Sequence, residues 1–196
     1  MGRFRRDWLG SIQDFSMKNM FLKTGIFTAF ALITTACTST PVNVAPVSGF
    51  ESDRYLGTWY EIARLDHSFE RGLSDVTANY SLRDDGGIKV LNRGCKADKG
   101  KWDEAVGKAY FTDGKQTGQL KVSFFGPFYG KYIVFDLDKD NYSHAYISGG
   151  NTKYLWLLSR QPQVSDDIRN DFLAKSEAAG YDTSQLIWVE QDGECP

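Results

Sequence analysis

Cysteine and histidine are scarce in this chain of 196 residues, at three and two. Three cysteines are too few for a disulfide-dense scaffold or a four-thiolate zinc site. Two histidines leave no room for a His-rich metal centre, so neither a metal nor another cofactor is expected. Basic blocks are missing as well: the formal net charge is −2. A nucleic-acid partner is therefore excluded on electrostatic grounds. Disordered and low-complexity classes also fall away, because 41% of the residues are hydrophobic and 24% charged. The length admits one domain, or one domain plus a detachable segment. Nineteen glycines against only five prolines, with 14% aromatic residues, lean towards a β-rich fold with tight turns.

The N-terminus belongs to a different regime. From Gly25 to Ala36 the run GIFTAFALITTA carries no charge and follows Lys18 and Lys23. A positive n-region, a short apolar core and small exit residues describe a secretory signal over residues 1–36. Twelve residues are too few to span ~30 Å of hydrocarbon as a helix. Met17 or Met20 would make a more ordinary start than Met1. Cys37 stands directly behind Thr34-Thr35-Ala36, which resembles the bacterial lipobox, whose Cys becomes a lipidated N-terminus. Plain secretory cleavage nearby, with Cys37 a bystander, is the competing reading; a retained helical anchor is a third. Thr38 in place of Asp would permit sorting to the outer membrane, lipid-anchored on its periplasmic face. Residues 37–49, with the Pro-containing stretch TSTPVNVAPVS, then read as a flexible lipidated tether. Without residues 1–36 the chain has 18 basic and 23 acidic side chains, a net −5. Attachment to a membrane must then come from acyl chains and not from a polybasic grip.

Residues 50–196 read as strands in succession, then one helix. Short runs with period-2 alternation recur at Leu56–Leu65, Asp75–Leu82, Ile88–Lys96, Trp102–Asp113, Gln119–Phe125, Lys131–Leu137, Tyr142–Ser148 and Lys153–Arg160. The turn signal Asp84-Asp85-Gly86-Gly87 joins the second to the third. Eight strands linked by short loops predict an antiparallel up-and-down β-barrel, since closure removes exposed edges. Ser165–Ala179 has a capping Ser165, acidic residues in its first turn and Gly180 as its stop, which predicts a C-terminal helix. Its apolar stripe through Ile168, Phe172 and Leu173 suits packing outside the barrel. Leu186–Val189 reads as one more short strand.

An eight-stranded barrel holds either packed side chains or one small ligand. Parity assigns Ala78, Tyr80, Val90, Asn92, Val122, Phe124, Tyr132, Val134, Ala145, Ile147, Tyr154 and Trp156 to its interior as candidate ligand-binding residues. Small residues among large aromatics leave volume lined by flat apolar surface. A plain filled core is the alternative on parity alone.

The segment YLGTWYEIARLD, with Gly57-Thr58-Trp59 at the head of the first strand, and Leu158-Ser159-Arg160 at the end of the eighth, together resemble the lipocalin family. The resemblance covers Phe50 to Glu190. Asp136–Tyr146 (DLDKDNYSHAY) stands where the family's second conserved region falls, and it departs from the usual Thr-Asp-Tyr. The runs FFGPFYG (Phe124 to Gly130) and YSLRDDGG (Tyr80 to Gly87) are similar to bacterial outer-membrane lipocalins, relatives of apolipoprotein D. The physical role expected of the first motif is closure: Gly57 would allow close passage, Trp59 would plug one end, and the Arg160 guanidinium could lie over its indole. Glu61 shares the parity of Trp59 and would point inward, needing a hydrogen-bond partner.

The resemblance implies binding of a lipid with one long apolar chain, such as a fatty acid or lysophospholipid, for envelope maintenance. Its polar head would stay at the open rim near Lys96, Lys99, Lys101 or Lys131, although each of these also fits a solvated surface charge. A homodimer is left open. After export, Cys95 and Cys195 read as one disulfide tying the third strand to the C-terminus. A free Cys95 is the alternative and would allow isomerase-type chemistry, although its parity with Leu91 and Arg93 turns it away from the lumen. His67 and His144 fit solvated surface groups. A scavenger of small apolar compounds or haem, with His144 as ligand, requires that residue to face inward, whereas Ala145 and Ile147 form the inward pair.

Overall fold

The structure, a computed structural model, describes Thr40 and residues 42–195. The signal segment 1–36 and the lipidation site Cys37 lie outside the described residues. A short helix α1 (Ser52–Tyr55) leads into β1 (Gly57–Leu65), β2 (Leu73–Leu82), β3 (Ile88–Lys96), β4 (Lys101–Phe111), β5 (Gln119–Ser123), β6 (Gly130–Leu137), β7 (His144–Ser148) and β8 (Leu155–Ser159). Helix α2 (Asp166–Ala178) and β9 (Leu186–Trp188) follow. Every ladder is antiparallel, each strand pairs with the next, and β8 returns to β1. The eight expected strands therefore close into the expected barrel. Helix α1 was not among the expected elements.

The chain enters and leaves each strand so that the loops sort into two ends. One end holds α1 and the turns 83–87, 112–118 and 138–143. The other holds the connections 66–72, 97–100, 124–129 and 149–154. The first end is solid. Trp59 is fully buried there, its indole N–H donating to Tyr55 O at 2.8 Å, with the Tyr55 ring tilted against it at 4.7 Å and Phe50 in turn 5.0 Å from Tyr55. Arg160 lies over the Trp59 ring at 4.0 Å and donates to the carbonyls of Thr58, Arg54 and Leu56 at 2.7–2.8 Å. Gly57 has φ +91°, and a Cβ there would sit 3.4 Å from the Arg160 guanidinium. A side chain would thus be strained by the backbone conformation, while its Cβ would make only ordinary contact with the closure.

A register shift in β1 decides which charges enter the barrel. Glu61 pairs with Leu158 but Ala63 pairs with Leu157, so Ile62 bulges out of the ladder. Beyond the bulge the parity inverts. Glu61 and Arg64 consequently share the inner face, while Ile62, Ala63 and Leu65 join the cluster beneath α2. Strands β1 and β2 pair only through Gly57–Tyr60, and β9 takes over along Ala63–Leu65. The remaining gap is bridged by Gln191, whose amide donates to the carbonyls of Glu61 and Val76 at 2.8 and 2.9 Å. The tail is fixed further by Gly193 N–H on Asp75 at 2.6 Å and by the Cys95–Cys195 disulfide.

Helix α2 packs outside the wall. Ser165 caps it through Ile168 N–H, and Phe172 is fully buried, edge-on to Tyr146 at 5.0 Å. Burying a phenylalanine in this way contributes about 1.5–3 kcal/mol.

One expectation needs correction. The described part of the flexible tether over 37–49 is fastened to the barrel. Val47 exchanges hydrogen bonds with Val134 and Gly118 at 2.8–2.9 Å, Ser48 bridges Thr117, and Val42 and Val44 pack in the cluster under α2. Alternating valines supply apolar contact that composition alone does not reveal. Leu82, two residues beyond the inward-facing Tyr80, is 62% exposed because β2 ends there beyond the core.

The disulfide closes a loop with a sequence separation of 100. Cross-linking a loop of about 100 residues removes ~4.7 kcal/mol of unfolded-chain entropy in the simple loop model. Cys195→Ala is expected to lower unfolding free energy by about 2–5 kcal/mol in chemical denaturation. An unchanged denaturation midpoint would contradict the assigned role of the bridge.

Candidate ligand-binding site

Opposite the solid end, the barrel encloses a cavity of about 1100 Å³. Small-molecule sites run to roughly 300–1,000 Å³, so this lumen lies at the large end. Ala78 and Tyr80 from β2, Val90 and Asn92 from β3, and Val122 with Phe124 around β5 line it. Tyr132 of β6, Ile147 of β7, and Tyr154 and Trp156 at β8 complete the wall. Val134 and Ala145 do not line it. Both are fully buried in the packed cluster around Trp59. Parity fixes the face of a strand but not the height along the barrel, and these two sit below the hollow. Gly107 of β4 makes room for an occupant of the wall: a Cβ there would meet the Phe124 ring at 2.8 Å.

The inner end of the cavity is a tyrosine trio. Tyr132 OH lies 2.7 Å from Tyr55 OH and 2.9 Å from Tyr80 OH. Burial raises the pKa of all three phenols, so they stay neutral. Their two mutual hydrogen bonds absorb most of the polarity and leave an aromatic floor.

Nearer the open end, a buried charged cluster is set into one wall. Arg64 donates to Glu61 at 2.6 Å and to the carbonyls of Glu70 and Leu73 at 2.9 and 3.0 Å. Glu70 takes the Trp156 indole N–H at 3.0 Å and lies 3.0 Å from His67 Nε2. Burial and the neighbouring Glu70 push Glu61 well above the usual carboxylate range, and Arg64 offsets them only in part. Burial acts on Glu70 in the same sense. Hydrogen bonding and charge from His67, the Trp156 N–H and Arg64 outweigh it and hold Glu70 below its ordinary value. One guanidinium thus serves two carboxylates unequally.

Sequence reasoning found Glu61 and Trp156 but missed Arg64, Glu70 and Tyr55. It also read His67 as a solvated group, whereas that ring is buried and stacked on Phe69 at 4.0 Å. His144 turns to the outer face, near Tyr146 under α2 at 5.7 Å, with Ser143 Oγ 3.0 Å from its Nδ1. It is not in position to ligate haem in the lumen. Cys95 is bonded to Cys195, which removes the thiol that isomerase chemistry would use. Of the rim lysines, Lys131 lines the cavity, whereas Lys96 pairs with Asp103.

A family model described as a lipocalin-like domain matches residues 50–191. The chain is 59% identical over 161 residues to the outer membrane lipoprotein Blc of Vibrio cholerae, covering 82% of this chain and 94% of that one. It is 52% identical over 165 residues to the protein of the same name from Escherichia coli K12, covering 84% and 93%. Apolipoprotein D of Macaca fascicularis is 31% identical, with 82% and 84% covered. Among solved structures, insecticyanin from the tobacco hornworm superposes with a TM-score of 0.64 at 19% identity, over 78% of this chain and 87% of that one, a likeness of fold.

The raised Glu61 gives a signed pH dependence. Between the ordinary carboxylate pKa and the raised one, the folded chain binds more protons than the unfolded chain. Stability contributed there is present at low pH and is lost as pH rises. Glu70, held low, acts in the opposite sense: its contribution is present above the ordinary value and is lost on acidification. Glu61→Gln is expected to remove a loss of up to about 1.4 kcal/mol per pH unit on the alkaline side. Denaturation of parent and variant from about pH 4.5 to 8 checks this, and parallel profiles would contradict it.

Proposed function

The chain belongs to the lipocalin family, and from that premise we propose that it holds a lipid with one long apolar chain, a fatty acid or a lysophospholipid, inside its barrel. It stores or ferries such lipids for envelope maintenance from the outer membrane, to which acyl chains on Cys37 attach it. The observation that carries this reading is the hollow itself: a deep cavity, open at one end, whose wall from Val90 to Trp156 is predominantly apolar and aromatic. Each buried CH₂ contributes about 0.8 kcal/mol, before the losses of association and chain ordering. The tail lies towards the tyrosine floor. A charged head left at the rim beside Lys131 and Asn151 stays hydrated and avoids the cost of burial. The chain is a binding protein, not an enzyme.

Native mass spectrometry of protein extracted from the envelope is expected to find co-purified fatty acid or lysophospholipid. Trp156→Ala should weaken lipid binding by roughly tenfold or more, through lost apolar contact. Lys131→Ala should weaken it far less. Equal losses, or protein that takes up no lipid, would overturn the reading.

A further inference from the structure

The cavity mouth is ringed by apolar side chains that face outward. Phe125 and Phe128 are 78% and 79% exposed, Val106 58% and Phe69 52%. They come from three separate places around the opening, the 66–72 and 124–129 connections and β4, and all four line the cavity entrance. An apolar rim drawn from distant parts of the sequence marks a surface meant to be covered.

The start of the described chain says what covers it. Thr40 O accepts the Thr152 N–H at 3.0 Å, and Thr152 belongs to the β7–β8 connection, whose Gly149, Gly150 and Asn151 border the same mouth. From there the chain runs past Val47 to Phe50 at the solid end. Cys37 precedes Thr40 by three residues, a reach of at most about 11 Å. Acyl chains on Cys37 would therefore hold the bilayer at the open end of the barrel and not at the closed one.

We propose that the Phe69, Val106, Phe125 and Phe128 rim docks on the lipid surface that carries the anchor, with the cavity mouth turned towards the bilayer. The proposal rests on the reading of Cys37 as the lipidated residue. Docked in this way, a lipid passes between membrane and lumen along continuous apolar surface. The rim also supplies the second membrane contact that a short acyl tether needs to fix orientation.

The test uses the full chain, reconstituted in phosphatidylethanolamine–phosphatidylglycerol vesicles. A nitroxide is attached at Phe128→Cys or, on the closed-end turn, at Lys115→Cys. Collision with oxygen and with a water-soluble nickel complex reads depth. The label at 128 is expected in the hydrocarbon and that at 115 in water, and adding Phe125→Ser should shift the 128 label towards water. Both phenylalanines are mostly exposed, so these changes spare the core. Mass spectrometry of the same sample reads acylation of Cys37. A 128 label in water on an acylated chain overturns the docking and leaves the anchor standing. An unacylated Cys37 overturns the anchor, while the depth at 128 still decides the docking. A 128 label shielded before vesicles are added, on particles of twice the mass, assigns the rim to a second copy and overturns the proposal.

Discussion

The hollow exists because the other end of the barrel is tightly shut, and one guanidinium does the shutting. Arg160, arriving at the end of β8, spans the carbonyls of Arg54, Leu56 and Thr58 and covers the Trp59 indole. Those four residues belong to α1, the turn that follows it, and β1. A single side chain therefore joins the last barrel strand to the first at the point where the chain enters. Below it Trp59, Tyr55 and Phe50 fill the lumen from wall to wall. An eight-stranded interior holds either packed side chains or one small ligand. Concentrating these aromatics at one end leaves the remainder vacant.

The second organising device is the bulge at Ile62. It converts a strand with a conventional in-out alternation into one that delivers Glu61 and Arg64 to the same face. The outcome is a charged group buried in an otherwise apolar wall, completed by Glu70 and His67 from the long β1–β2 connection. Trp156 belongs to both regimes: its ring lines the cavity and its N–H is held by Glu70. The orientation of a principal lining residue is thus set by the polar cluster behind it.

Eight strands, the outer helix and the Cys95–Cys195 pairing were legible because they depend on local alternation, capping residues and cysteine number, whereas the Trp59–Arg160 contact came from the motifs that carry the lipocalin resemblance. The inward set from Ala78 to Trp156 followed from parity in the same way. Val134 and Ala145 show where parity stops: it cannot distinguish the packed floor from the open lumen, because both lie on the inner face. Arg64 was illegible for a different reason. A bulge leaves no mark in the hydrophobic pattern, and past Ile62 every assignment is off by one. His67 and Glu70 lie in a connection without periodicity, so their burial follows only from the course of the loop. The fastening of Val42, Val44 and Val47 escaped notice because prolines nearby read as a linker.

Beyond the Gly57–Tyr60 ladder, the seam between β1 and β2 is filled by the C-terminal tail, and a covalent bond to β3 latches that tail. Reducing cytosol keeps thiols apart. The latch consequently forms only in an oxidising space, and under reducing conditions the tail is held to the seam by hydrogen bonds, those of Gln191 and Gly193 among them. The same cross-link that steadies the finished molecule thereby ties the firmness of this seam to the redox poise around it.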